Sequence, residues 1–96
     1  MKPKLTKSDL ATAVALACDL PKDLAVRAVD TAVKSITHAL AQGEDVRITG
    51  FGTFRTRTRP ERQVRNPRTG QVMVAPESRL VRFAPGGVLR DAVNPP

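Results

Sequence analysis

The sequence predicts an α+β fold in which a helical hairpin precedes several β-strands and a short helix ends the chain. Apolar residues recur at helical spacing in the first half, and apolar and polar residues begin to alternate at Val46. The segment 55–70 carries six arginines against one acid, which makes it too polar to join a core. A chain of 96 residues is predicted to form one small domain.

The first predicted helix runs from a cap at Thr6 to about Cys18. Thr6 and Asp9 stand three residues apart, which is the spacing of a capping box. The inner face is expected to carry four residues at helical spacing: Leu10, Ala13, Val14 and Ala17. Cys18 is expected on the buried side as a small core residue. As the only cysteine it cannot form an internal disulfide, which favours a reducing compartment.

The second predicted helix begins at Pro21 and stops at Gly43. A proline suits a helix start because its missing N–H would have no helical partner there, and glycine commonly ends a helix. The apolar seam has a 3, 4, 3, 4 spacing and consists of Val26, Val29, Val33, Ile36 and Leu40. His38 lies off the seam and is expected to face solvent. The seam is too small for a large core, so the hairpin is expected to be covered by something else.

The arginine segment is predicted to be a solvent-exposed β-ribbon that binds a polyanion. A strand at Val46 and Ile48 and a tight reversal at 50–52 lead into it. Arg55, Arg57 and Arg59 alternate with threonines, which places all three guanidinium groups on one face of an extended strand.

The tip of the ribbon is predicted at residues 66–69, as a type I turn with Pro67 in its second position and Gly70 in the left-handed conformation. Pro60 and Pro76 are expected to face each other across the hairpin. Since neither can donate to the ladder, the ribbon is expected to bend or bulge there and to become a flexible arm beyond.

The chain is then expected to return to the body and to close with a short helix. The return strand is predicted to begin at Val72 and Val74, and residues 80–83 are expected to bring the chain back to the body. Pro85 and Gly86 are expected to open the helix. Its inward face is expected to consist of Val88, Leu89, Ala92 and Val93.

Composition restricts the function classes. The net charge is +7, of which +6 falls within residues 51–96, so nucleic acid or an anionic surface is the expected partner. Three phenylalanines without tyrosine or tryptophan argue against a single-strand binder that stacks bases. One cysteine and one histidine are too few for a metal site or for recognisable catalysis, so no enzyme, cofactor or metal is expected. No apolar run is long enough for a signal peptide or a membrane span, and a soluble cytoplasmic protein is expected.

Two motifs give the chain a family resemblance. Residues 50–54 read Gly-Phe-Gly-Thr-Phe, and residues 65–70 read Arg-Asn-Pro-Arg-Thr-Gly. With these motifs and three phenylalanines at 51, 54 and 83, the chain resembles the HU/IHF family of bacterial nucleoid-associated, DNA-bending proteins over about residues 7–93. Val64 departs from the small residue that the family usually has before the tip, and the basic extension at Met1 to Lys4 is not a family feature.

The resemblance implies an intertwined dimer. Each chain would supply a helical base at about 6–43, a β-sheet saddle at about 44–54 and 77–83, an arm at about 55–76 and a C-terminal helix at about 85–94. Homodimers and heterodimers are both compatible with this implied architecture, and the protein would lie on the nucleoid.

The resemblance also implies which residues contact double-stranded DNA. Pro67 would wedge between base pairs. Because unstacking is costly and nicked or distorted DNA has already lost stacking, such duplex is expected to be preferred. The other implied arm contacts are Arg55, Arg57, Arg59, Arg62, Arg65, Asn66 and Arg68. The implied body contacts are Lys7, Lys22, Arg90 and the backbone at Pro85 and Gly86.

Three alternatives remain at this point. The first is a sequence-selective DNA-bending subunit of the IHF type, and the second is a small basic RNA-binding protein of the ribosomal type. The third is a helical interaction module whose basic arm only aids solubility. Competition between duplex DNA and RNA distinguishes the second alternative from the arm hypothesis.

Overall fold

A computed structural model describes residues 3–96, so Met1 and Lys2 lie outside the described residues. The elements in chain order are α1 (Lys7–Cys18), α2 (Lys22–Ala41), β1 (Val46–Ile48), β2 (Gly52–Arg59), β3 (Arg62–Arg65), β4 (Val72–Ala75), β5 (Ser78–Pro85) and α3 (Gly87–Val93). The predicted α+β class is confirmed. The chain divides into two compact units, one up to His38 and one from Ala39.

Helix α1 has a capping box at its N-terminus and a left-handed residue at its C-terminus. The Asp9 N–H donates to Thr6 Oγ1 at 3.2 Å and the Thr6 N–H donates to Asp9 Oδ2 at 2.9 Å, which confirms the capping box. The bond from the Thr6 backbone lowers the pKa of the Asp9 carboxyl below its ordinary value. At the other end Asp19 is left-handed (φ 54°), and the Leu20 N–H donates to Ala15 O at 2.9 Å.

The predicted inner face of α1 is wrong: the buried position is one residue further along the helix than predicted. Ala11 is the buried residue of the helix, whereas Leu10 is 49 % exposed. Since α1 is apolar around most of its circumference, periodicity could not decide which face packs. Cys18 is also exposed, contrary to the expectation of a core residue. It stands in the last turn, immediately before the chain leaves the helix at Asp19.

Helix α2 follows Pro21, whose carbonyl accepts the Ala25 N–H at 3.1 Å. It ends in a Schellman motif, in which the Glu44 N–H donates to Ala39 O and the Gly43 N–H donates to Leu40 O, both at 3.0 Å. The left-handed φ of Gly43, 85°, confirms it as the stop. Along the seam Leu40 is buried and Val33 is exposed, and His38 faces solvent as predicted.

Strands β1, β2 and β5 form an antiparallel sheet in the order β1-β2-β5. Its apolar face is centred on Phe83, which lies opposite Phe54. The ring centroid of Phe83 is 4.8 Å from that of Phe54 and 5.3 Å from that of Phe51. Val46 pairs with Phe54 and therefore points to the same face. The predicted strand at residues 46–48 and the reversal after it are confirmed.

Gly52 is the point of closest approach within this sheet. A Cβ at this position would lie 2.6 Å from Ala84 O and 2.6 Å from ring atoms of Phe83. We expect Gly52→Ala to lower the free energy of unfolding by about 1–3 kcal/mol, because the carbonyl and the packed ring cannot both move away. Urea denaturation at one fixed protein concentration measures the change.

Gly87→Ala is the matched control for that substitution. A Cβ at Gly87 would meet no atom within 4 Å, and the position starts a helix, so a change of less than about 0.5 kcal/mol is expected. Equal stability of the two variants would show that the approach at Gly52 is not tight.

The ribbon consists of two ladders in one hairpin. β2 and β5 pair as far as Arg59 opposite Ser78, and β3 and β4 pair from Arg62 opposite Ala75. Two unpaired residues on each strand separate the ladders, and each pair of residues contains one proline. The ladder is therefore interrupted at the level where the prolines were expected to disturb it. No residue is inserted on either strand, so there is no bulge, and the register places Pro60 level with Glu77 and not with Pro76.

Helix α3 is shorter than predicted. Pro85 is the last residue of β5, opposite Gly52, so the expectation that it opens the helix is wrong. Gly86 is the N-cap, and its N–H donates to Phe51 O at 2.8 Å. Leu89 is half-buried, but Val88 is 67 % and Val93 is 77 % exposed, so the predicted inward face is wrong for a single chain. Because α3 has only two turns, Leu89 is the one residue of the predicted face that is even half-buried.

Candidate nucleic-acid interface

Strand β2 carries its arginines on the face opposite the phenylalanines. Side chains alternate along a strand, so Arg55, Arg57 and Arg59 point away from the side that Phe54 occupies. All three are exposed. The predicted common face is therefore present in the structure.

The sheet register adds two arginines that were not predicted as contacts from the sequence. Arg82 lies directly opposite Arg55, and Arg47 lies directly opposite Thr53. Residues directly opposite each other in an antiparallel pair point to the same side. We call the resulting surface the arginine face, which consists of Arg47, Arg55, Arg57, Arg59 and Arg82. Each of the two missed residues stands between two apolar neighbours in sequence, a pattern that indicates an outward position but does not identify a partner.

Arg79 belongs to the other side of the same sheet. It lies opposite Thr58, and its Nη1 donates to Ala41 O at 2.8 Å. The last carbonyls of a helix have no helical partner, and a cation near them interacts favourably with the helix dipole. Arg79 therefore caps the end of α2 and is not part of the arginine face.

An open cleft of about 700 Å³ adjoins the arginine face at its β1 end. Its lining includes Arg55, Pro85 and Gly86, which were predicted to contact DNA. It also includes Arg47, which was not predicted. Asp45 Oδ2 lies 3.9 Å from Arg55 Nε, and both side chains are exposed. A solvated pair of this length contributes little to stability and leaves the guanidinium group accessible.

The outer ladder presents its arginines on both sides. Arg62 and Arg65 are exposed, and since they are three residues apart on β3 they point to opposite faces. Val64 pairs with Met73 in ordinary strand conformation. The departure from a small residue at this position therefore does not disturb the ladder.

The tip is held together by Asn66. Its carbonyl accepts the Gly70 N–H, its N–H donates to Gln71 O, and its Oδ1 accepts the Arg68 N–H, each at 2.8 Å. Gly70 has the predicted left-handed conformation, with φ 73°. Asn66 was predicted as a DNA contact, but its side-chain oxygen serves the turn itself. Pro67 and Arg68 are left exposed at the apex.

The remaining predicted contacts do not lie on the arginine face. Lys7 and Lys22 belong to the helical hairpin, where Lys7 forms an ion pair with Asp30 and Lys22 donates to Thr12 Oγ1. The Lys7 ammonium holds the pKa of the Asp30 carboxyl below its usual value. Arg90 lies on α3 and lines a separate groove with Pro85 and Leu89.

Potential metal ligands are scattered along the described part of the chain. Within residues 3–96, no three His, Cys, Asp or Glu side chains are grouped so that they could hold a metal ion. The helices in that range are all too short or too polar to cross a membrane.

A sheet with one arginine-bearing face that continues into an exposed, arginine-rich ribbon defines a small basic protein of the nucleic-acid-binding class. The model of the family described as "Bacterial DNA-binding protein" matches residues 5–94. The chain belongs to this family, and the HU/IHF resemblance is confirmed.

Named relatives support the same assignment. The chain is 45 % identical over 90 residues to DNA-binding protein HU from Geobacillus stearothermophilus, a match that covers 94 % of this chain and 100 % of that protein. It is 45 % identical over 90 residues to HU from Xylella fastidiosa, covering 94 % and 96 % of the two chains. The match to HU-beta from Pseudomonas aeruginosa is 41 % identical and covers 94 % and 100 %.

Solved structures agree with the described fold. A cocrystal structure of Anabaena HU with DNA matches with a TM-score of 0.85 and 35 % identity, covering 95 % of this chain and 99 % of that one. A mutant HU from Thermotoga maritima matches with a TM-score of 0.68 and 29 % identity, covering 93 % and 99 %.

Proposed function

We propose that this histone-like DNA-binding protein works as a dimer that grips and bends double-stranded DNA between two ribbons, largely independently of base sequence. One observation carries the proposal: the arginine face continues along β2 into an exposed ribbon whose apex is Pro67. An exposed surface with this charge contributes little to folding, and a polyanion is the partner that it fits.

Exposed apolar surface supports the dimer. The buried apolar residues among the described 3–96 are only Ala11, Ala25 and Leu40, while fourteen large apolar side chains are exposed. Phe83, at the centre of the apolar sheet face, and Phe51, whose ring packs against it, are 40 % and 43 % exposed. The chain exposes 8218 Å², whereas a folded monomer of its mass exposes about 5,400 Å². Part of this excess belongs to the exposed ribbon, and a second copy would cover the apolar part, because monomers rarely expose large apolar patches.

The arginines and the proline of the ribbon would have different roles on DNA. Arginine is the cation best suited to a narrow minor groove and to phosphate, so the arginines of the ribbon would hold the two walls of the groove. Pro67 would insert between base pairs, because its ring is rigid and apolar and has no donor that unstacking would leave unpaired. Unstacking costs a few kcal/mol, which the additional phosphate contacts of a bent duplex would offset.

Nicked duplex is expected to bind at least about tenfold more tightly than intact duplex of the same sequence. A nick removes part of the unstacking cost, and each 1.4 kcal/mol saved corresponds to a factor of ten in affinity. The measurement is a binding series at constant salt on linear, nicked and four-way-junction DNA, with sedimentation of the free protein to establish the dimer. Equal affinity for intact and nicked probes would contradict the bending mechanism.

The alternatives are not favoured. The matched relatives are HU proteins, and one matched structure is an HU–DNA complex, which argues against an RNA-binding ribosomal type and against the selective IHF type. Duplex DNA is therefore expected to displace RNA in competition. The protein is proposed to associate with the nucleoid, where duplex DNA is abundant.

A further inference from the structure

We propose that Arg55 and Arg82 form a two-guanidinium clamp for a backbone phosphate of duplex DNA, and that Arg47 extends this contact across the sheet. Arg82 and Arg47 would then add phosphate contacts to those of the arginines on β2. The inference rests on the proposed function, since it names further residues for the same partner.

Two like charges face each other across strands β2 and β5. Arg55 and Arg82 lie directly opposite each other, where opposed side chains have Cβ atoms about 5 Å apart and like charges are destabilising. Asp45 approaches Arg55 alone, at 3.9 Å, and Arg82 forms no ion pair with any of residues 3–96. An anion that bridges both guanidinium groups would convert this repulsion into two charge-assisted contacts.

The position of the pair on the arginine face also favours a polyanion. Arg57 and Arg59 continue from Arg55 along the same side of β2, about 7 Å apart from one residue to the next, so a polyanion that follows β2 would also reach Arg82. Arg47 stands on the opposite edge of the three-stranded sheet, roughly 10 Å across from β5. A surface of this width can contact phosphates on both sides of a minor groove, which is about 6 Å wide.

Arg79 provides an internal control. It is on the same strand as Arg82, three residues away, and is the same residue type. Its side chain points to the other face and caps α2 through Ala41 O. Removal of the Arg79 charge changes the total charge of the protein as much as removal of the Arg82 charge does. The Arg79 charge, however, lies on the side of the sheet that would not face DNA.

The test compares Arg82→Met, Arg82→Lys and Arg79→Met in salt-titrated binding to a linear duplex. Arg82→Met is expected to reduce the slope of log affinity against log salt by about 1 for each phosphate that is no longer neutralised, equally for different sequences. When the salt concentration rises fourfold, the affinity of the variant therefore falls about 3.5-fold less than that of the wild type for each phosphate contact that the variant has lost. Arg82→Lys is expected to keep the slope. Arg79→Met is expected to keep the slope but to lower the melting temperature.

The outcomes separate the clamp from the proposed function. If Arg82→Met keeps the wild-type slope while the wild type binds duplex with strong salt dependence, the clamp is wrong and the proposed function stands. Equal slope losses in Arg82→Met and Arg79→Met would also overturn the clamp, since total charge would then explain the effect. If the wild type itself shows no salt-dependent duplex binding, the proposed function fails.

Discussion

Raising the salt concentration from about 50 to about 200 mM is expected to weaken duplex binding by roughly 10³- to 10⁵-fold. Each arginine that neutralises a phosphate releases condensed counterion, and this release becomes less favourable as salt rises. Each chain offers the arginine face together with Arg62, Arg65 and Arg68, so a dimer has far more cations than the 6 to 10 phosphate contacts, roughly, that such a decrease requires. Fluorescence anisotropy of a labelled duplex over a salt series measures the slope.

The size of this slope tests the electrostatic grip as a whole. A parallel series at constant salt with added sucrose serves as the control for osmotic effects. A slope close to zero would mean that the arginine face and the ribbon do not neutralise phosphates, and the proposed interface would have to be abandoned.

Pro67→Ala is expected to abolish most of the bend in bound DNA while affinity for linear duplex falls less than tenfold. Alanine lacks the rigid ring that would enter the base stack, but it leaves the arginines in place. The turn should survive, because its hydrogen bonds join Asn66 to Arg68, Gly70 and Gln71 and use no atom of the proline side chain. Energy transfer between dyes on the two ends of a short duplex reports the bend.

Arg68→Met is the matched variant for the neighbouring residue at the tip. It is expected to reduce the salt slope and to leave the bend intact, because it removes a cation and keeps Pro67. If Pro67→Ala bends DNA as strongly as the wild type, the proline is an ordinary turn residue and the bend arises elsewhere.

Features that depend on a few consecutive residues were predictable. The capping box at Thr6, the stop at Gly43 and the left-handed Gly70 each follow from local backbone chemistry, and each is present in the structure. The alternation of Arg55, Arg57 and Arg59 is equally local, since a strand places every second side chain on one face.

Features that depend on which surface packs were not predictable. Helix α1 is apolar on most sides, so the burial of Ala11 and the exposure of Leu10 and Cys18 could not be derived from spacing. For α3, the spacing predicted an inward-facing set of apolar residues, but Val88 and Val93 are exposed within one chain. This is the result expected if its partner surface belongs to a second copy.

Propensity, capping and alternation act over short distances along the chain, so they were sufficient to predict the helices, the strands, the polar ribbon and the residue types that meet DNA in the proposed function. Which arginines share a surface could be read only from the folded sheet. Arg82 joins Arg55, and Arg79 turns away to cap α2, because the pairing of β2 with β5 brings together residues more than twenty positions apart. Strand register depends on that long-range pairing, and a shift of one residue would exchange the two faces.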